Sequence, residues 1–267
     1  EAWRVAHGVQ STLEDRQSMT FYVRLIAVLF LLCTSSTSVC ASDLRGLGAL
    51  LDDVLRAHVK DGYVDYPAIS RNVRFHKYIE AIQEVELEED DDDPETIAFW
   101  INVYNALAIQ QIIDGQSPIS TLGRLKFFRT TEHRVAGRSL DLHSISEDIL
   151  AEYDDPRIFI ALTDAAYSAP ALPSEAFRGD ILDRQLENSI RQFVNDNRRN
   201  RFAKSVGKAK LSALFEKRGK AFGDSREELL AFLARYVNDE ELAATLASGR
   251  FGVEYLDYQW GINGIPM

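Results

Sequence analysis

Cysteine is scarce in this chain. Only Cys33 and Cys40 occur among its 267 residues, and both sit in a stretch that reads as a secretory leader, "MTFYVRLIAVLFLLCTSSTSVCA", residues 19–41. Arg24 supplies its positive end, Leu25 to Cys33 its apolar core, and Val39 and Ala41 the small residues before a cleavage point. About nine apolar residues are too few to cross a ~30 Å hydrocarbon core, which argues against an anchor. Val39 is too bulky to precede a lipidated cysteine. Residues 1–18 are then an upstream extension outside the fold, and the expected mature chain starts at Ser42. Without cysteine it can form no disulfide, hold no metal through thiolate and use no thiol nucleophile.

Other shortages narrow the field further. Beyond the leader the histidines are His58, His76, His133 and His143, scattered and without His-x-x-His or His-Glu-x-x-His spacing. No metal site is expected from them. Glycine-rich phosphate signatures are missing, so no cofactor is expected either. Positive charge is in deficit: 30 basic against 41 acidic side chains give a net charge of −11. Residues 1–41 contribute equally to both signs (Arg4, Arg16, Arg24; Glu1, Glu14, Asp15), so the imbalance belongs to the mature part. Such a surface repels phosphate backbones and anionic lipids, excluding nucleic acid as a partner and stable membrane insertion after leader cleavage. The expected location is secreted or periplasmic.

Along the mature part, Leu44, Leu47, Leu51, Val54 and Leu55 stripe one helix over residues 42–57. "KDGYVDYPAI" reads as an extended segment opened by a turn at Asp61-Gly62. A second amphipathic helix carries Phe75, Tyr78, Ile79 and Ile82. The acidic run "EVELEEDDDDPE" lacks the glycine of a calcium loop; Asp93-Pro94 instead reads as cap and first turn of a helix. That helix, "ETIAFWINVYNALAIQQIIDG", is apolar all round and is predicted to be central and buried, ending at Gly115. A hairpin is expected at Ala136-Gly137, a capping box at Ser144 and Glu147, and a doubly buried strand at "RIFIAL". A helix with Ile181, Leu186 and Ile190, a hairpin turning at Gly207-Lys208, a helix with Leu229 and Leu233, and a closing extended segment follow. The economical reading is α+β: one compact domain with a central buried helix, surrounding amphipathic helices and a small, largely antiparallel sheet.

In order, "DGYVDYPAI", "AFWINVYNAL", "VAGRSLDLHSISEDIL", "DPRIFIALTDAAYSAPAL", "LSALF" and "YQWGIN" resemble the family called domain of unknown function 547. The resemblance spans roughly residues 58–263, leaving 264–267 as a tail, and implies a thiol-hydrolase-like framework. It also implies what has changed. Family members typically read His-x-Ala-Leu where this chain has Phe159 to Leu162, and carry cysteines at the positions of Asp164 and Ala169. They commonly have histidine at Glu147 and aspartate at Gln259. Residues 163–170 therefore resemble an active-site loop whose nucleophile has been removed, and the protein a pseudoenzyme.

Two function classes follow. One is a binding module for a peptide, protein or small-molecule ligand, with Asn102, Tyr104, Asn105, Asp164, Ser168, Trp260 and Asn263 as candidate contacts. The other is a cofactor-independent hydrolase using Ser168, or the carboxylates Glu147 and Asp164 as an acid–base pair. The amides of Asn102 and Asn105 have a plainer role as ties between the helix and its neighbouring loops, and Asp164 as a brace for the amides of 165–169. A carboxylate or hydroxyl converging with His143 would favour the hydrolase.

Overall fold

The computed structural model describes residues 41–87 and 93–265. The expected leader, apart from Ala41, and the upstream extension lie outside the described residues, as do residues 88–92 of the acidic run and the last two residues.

The chain is α+β. Helix α1 (Ala41–His58) packs across α2 (Val73–Ala81) and the central α3 (Pro94–Ile113). Between α1 and α2 the chain makes a two-residue hairpin, Val59–Lys60 with Tyr63–Val64. Its turn residues Asp61 and Gly62 both have positive φ, 52° and 80°, the combination a tight hairpin turn requires. One helical turn, Tyr66–Ile69, follows, capped by Asp65. The segment predicted to be extended is therefore strand only in its first half.

Asp93 caps α3 by accepting from Glu95 N, and Pro94 takes the first helical position, as the sequence indicated. Almost every side chain from Ala98 to Ile109 is buried. The helix is long and apolar enough to cross a membrane, yet most of it is enclosed by the protein itself. Its apolar circumference serves the core.

The hairpin at Ala136-Gly137 forms between His133–Val135 and Arg138–Leu140. "RIFIAL" is not a strand. Residues Ile158–Ala161 make one helical turn, with Asp155 accepting from Arg157 N and gripping its guanidinium. A short apolar run has no period that separates strand from helix, and Asp155-Pro156 here opens a turn. Its first and last residues bury into the cluster around α3, whereas Ile160 buries into a second cluster. That second cluster gathers α4 (Leu182–Val194), α5 (Ala213–Lys217), α6 (Arg226–Ala234) and α7 (Glu240–Ala247).

Strand content is small and divided among three sheets. The largest has three strands, with Arg201–Ala203 antiparallel to Lys208–Leu211 and that strand parallel to Gly252–Tyr255. Gly207 sits left-handed at φ 60° in the hairpin loop. "LSALF", expected as the end of this hairpin, turns into α5 because Ser212 caps Leu214 N.

The final segment, 256–265, runs over the body as a stitch. Leu256 N bonds Leu211 O, Tyr167 N bonds Gly261 O, and Val64 N bonds Asn263 O. It thereby ties the three-stranded sheet, the 163–170 loop and the first hairpin together.

Candidate functional site

Alternation along the final stitch divides the surface around it into two clefts. Tyr258 and Trp260 face one; Asp257 and Gln259 face the other. An extended chain sends successive side chains to opposite sides, and from Asp257 to Trp260 the split follows that period.

The first cleft, about 160 Å3, lies where the two apolar clusters meet: Leu162 belongs to one, Leu214 to the other, and Phe159 packs against both. Asp164 forms its polar centre. Tyr104 of α3 donates to one carboxylate oxygen at 3.2 Å and Tyr258 to the other at 2.6 Å. Burial pushes the Asp164 pKa above its ordinary value even though both hydroxyls favour the charged form. Burial likewise pushes both tyrosines well up, helped by the adjacent carboxylate. They remain donors at any working pH.

Cations surround this centre. The Lys217 ammonium stands 3.7 Å from the centroid of the Tyr258 ring and 4.3 Å from that of Trp260. Arg124 covers Trp260 at 4.8 Å, and Arg218 covers Phe159 at 4.5 Å. Arg218 is ion-paired with Glu147, whose other neighbour is the Ser146 hydroxyl. Neither Lys217 nor Arg124 has an acidic partner within ion-pair distance among the described residues. His143 also lines the cleft; burial, and then the charge of Arg129, lower its pKa, so it is neutral at physiological pH.

Several sequence expectations change against this geometry. Helix entry at 142 is capped by Asp141, which accepts from Ser144 N. Ser144 is already helical, so the expected capping box does not form, and Glu147 is free to meet Arg218. Asp164 does not brace the amides of 165–169. Ala165 N goes to the Thr163 hydroxyl, and Tyr167 N and Ser168 N pair with the final stitch.

Ser168 lies in the second cleft, and its Oγ accepts from Gln259 N at 2.9 Å. No histidine lines that cleft, so the structure does not give Ser168 the base a serine nucleophile needs. Nor do Glu147 and Asp164 act on one another: each is held by other groups, one by Arg218, the other by two tyrosines.

The buried amides tie loops. Asn102 donates to Phe177 O at 2.8 Å and accepts from Phe177 N at 2.9 Å. Asn105 donates to Ala161 O at 2.9 Å and accepts from Thr163 N at 2.8 Å. Neither lines either cleft. Asn263 borders the second cleft, but its amide is engaged by Tyr66 OH and Gly62 O. Tyr104, Asp164 and Trp260 remain together in the first cleft.

The positions at which the resemblance implied changes also separate. Phe159 and Asp164 line the first cleft, and Glu147 reaches it through Arg218. Gln259 faces the second. Ala169 is fully buried, its carbonyl gripped by Arg199 Nε at 2.8 Å, and it lines neither.

Lys217, Arg218 and Tyr258 were not singled out from the sequence. The signal that could have found the first two is an adjacent basic pair one residue after the apolar turn "ALF" in an acidic chain. Among the described residues, no group of three or more histidine, cysteine, aspartate or glutamate side chains is placed to hold a metal ion.

Residues 89–194 match the family described as "Protein of unknown function, DUF547". The segment includes Tyr104, Glu147, Phe159 and Asp164, while Lys217, Arg218, Tyr258 and Trp260 lie beyond it. No curated protein and no solved structure matches the chain.

Proposed function

We propose that this protein is an exported, non-thiol member of its family, and that the Asp164 cleft binds a small organic anion rather than cleaving a substrate. The observation that carries this reading is the charge of the cleft. Lys217 lines the cleft and Arg124 covers Trp260, neither with an acidic group within ion-pair distance among the described residues, while Glu147 is paired with Arg218 and Asp164 is held by two tyrosine hydroxyls. With Arg218 offset by Glu147, Lys217 and Arg124 carry two positive charges against the single carboxylate of Asp164, which leaves one countercharge for a ligand to supply. At about 160 Å3 the space suits a compact carboxylate and not a peptide.

Calorimetric titration with acetate, propionate and benzoate tests the reading. Binding should weaken about tenfold or more in Lys217→Ala, the loss of one charge-assisted contact of roughly 1.5–3 kcal/mol. Affinity unchanged in Lys217→Ala and Arg124→Ala would overturn it.

The hydrolytic reading keeps one observation in its favour: neutral His143 and Asp164 line the same cleft. No hydrogen bond joins them. Hydrolysis of p-nitrophenyl acetate that disappears in both His143→Ala and Asp164→Asn would replace binding by catalysis. Export rests on the leader described above and is checked by N-terminal sequencing of protein recovered from the envelope or medium. A start at Ser42 is expected; retention of residues 19–33 would make that segment an anchor.

A further inference from the structure

The larger cleft, about 630 Å3, lies on the opposite side of the final stitch and has a different chemistry. Its most exposed aromatic is Tyr167, with 47% of its surface open. The Cδ2–Cε2 edge of that ring lies against the backbone at Gly261, where an added Cβ would come within 2.7 Å of Cδ2. Only glycine lets the ring lie so close. Tyr63 stands edge-on to it, at 6.4 Å between centroids and 69° between planes. The ring is thus held along one edge and met by Tyr63, with nearly half of its surface open.

Its mounting is rigid. Tyr167 N bonds Gly261 O, and Arg199 grips the carbonyls of Tyr167 and Ala169 from beneath.

Around this ring, polar groups keep unused hydrogen-bonding capacity. The carboxylates of Asp61 and Asp257 and the side-chain amide of Gln259 have no protein partner among the described residues. Arg201 uses only its Nε, on Asn197 O. The Ser168 oxygen accepts from Gln259 N, and its proton is free to be donated.

Charge selects among ligand classes. Arg198, Arg199 and Arg201 are offset by Asp61, Asp257 and Asp196, the last holding both Arg198 and Arg199. A neutral cleft of mixed donors and acceptors has no bias toward an anion or a cation. A flat, fixed aromatic face beside it suits a ligand with one C–H-rich face and a rim of hydroxyls. The negative face of the ring attracts the slightly positive C–H groups. Hydroxyls donate and accept at once, and so satisfy carboxylate, guanidinium and amide neighbours together.

We infer that this cleft binds a neutral oligosaccharide, with one sugar ring stacked on Tyr167 and its hydroxyls held by Asp257, Gln259 and Arg201. The volume falls within the range of roughly 300–1,000 Å3 common for ligand pockets. This inference is independent of the anion proposed for the Asp164 cleft, because the two sets of residues do not overlap.

The test titrates the purified protein with maltotriose, cellotriose and the β-1,4-linked trimer of N-acetylglucosamine, followed by calorimetry and saturation-transfer NMR. At least one should bind at millimolar concentration or below. Tyr167→Ala should weaken that binding about tenfold or more, Tyr167→Phe by less than about threefold, since the ring face is what stacks. Gln259→Ala, at an exposed side chain, should weaken it without changing the unfolding midpoint, whereas Lys217→Ala should leave it intact. Absence of binding to all three at 10 mM (about the weakest affinity a specific site would show) would overturn the inference. So would equal affinity in wild type, Tyr167→Ala and Gln259→Ala, or binding of an oligoglutamate peptide in place of the sugars.

Discussion

Replacing Asn102 or Asn105 by alanine probes the loop ties directly. Each amide serves one backbone N–H and one backbone C=O, at distances between 2.8 and 2.9 Å. Both side chains are almost fully buried, at 4% and 2% exposure, so truncation strands two backbone groups with little access to water. A stranded buried group costs about 1–3 kcal/mol, so two cost about 2–6 kcal/mol. Water entering the vacated space would recover part of this and brings the expectation to about 2–4 kcal/mol. Domains of this kind hold about 5–15 kcal/mol in total, so both variants should still fold. Urea unfolding followed by far-ultraviolet circular dichroism measures the change, with an unchanged slope showing that the same surface is exposed. Asn105→Ala should also perturb Asp164, because Thr163 N, one of its two anchors, precedes that residue directly. Asn102→Ala should not, since Phe177 lies in a different loop. A loss below about 0.5 kcal/mol in both variants would show that the backbone groups find other partners and refute the reasoning.

Asp164→Asn tests the buried carboxylate through pH. Its folded pKa is raised above 3.8 by burial, so between that value and the higher folded one the native state binds more protons than the unfolded chain. The stabilising effect of the protonated form is complete below 3.8 and is lost as pH rises through the folded pKa. Asparagine carries no such dependence, so the stability difference between variant and wild type should move in the variant's favour from pH 3.5 to 7, the range about that window; a constant difference would refute it. Gly62→Ala adds a Cβ 2.7 Å from Ala171 Cβ at φ 80° and should lower stability by about 1–3 kcal/mol in thermal unfolding, through both strain and contact. Glu147→Gln should lower stability by roughly 1 kcal/mol, the ceiling for a partly exposed pair, and should alter the fluorescence of Trp260 less than Lys217→Ala does, because Lys217 touches that ring and Glu147 does not.

The helices with a long pattern were legible in the sequence. α1, α2, α3 and α4 follow from spaced apolar residues, and α3 also from Asp93-Pro94 and its apolar circumference. Both hairpins with Asp-Gly or Ala-Gly turns were legible because positive φ at two adjacent residues narrows the choice of amino acid. "RIFIAL" failed for the opposite reason: six residues give no usable period, and the outcome depended on Asp155 gripping Arg157 and on one cluster taking Ile158, Ala161 and Leu162 while the other takes Ile160. The first cleft was legible only in its half contributed by 104–164. Of its cations, Lys217 is the last residue of α5 and Arg218 the one after it; α5 is a five-residue helix whose sequence reads equally well as the end of a strand, and nothing local in the sequence says that Lys217 will meet Tyr258.

The alternation of the final stitch explains why a single vacated active site is too simple a description. If residues 258 to 260 all served one cleft, a change at 259 would belong with the changes at 159 and 164. They do not all serve one cleft, because an extended segment must send Gln259 away from the side to which Tyr258 and Trp260 point. Gln259 therefore belongs with Tyr167 and Ser168, the latter bound to its backbone N–H through Oγ. Asp164 has a different tie: its second oxygen is held by Tyr258, the neighbour of Gln259 in sequence and its opposite in space. One short stretch thus sets the position of the carboxylate in one cleft and of the amide in the other.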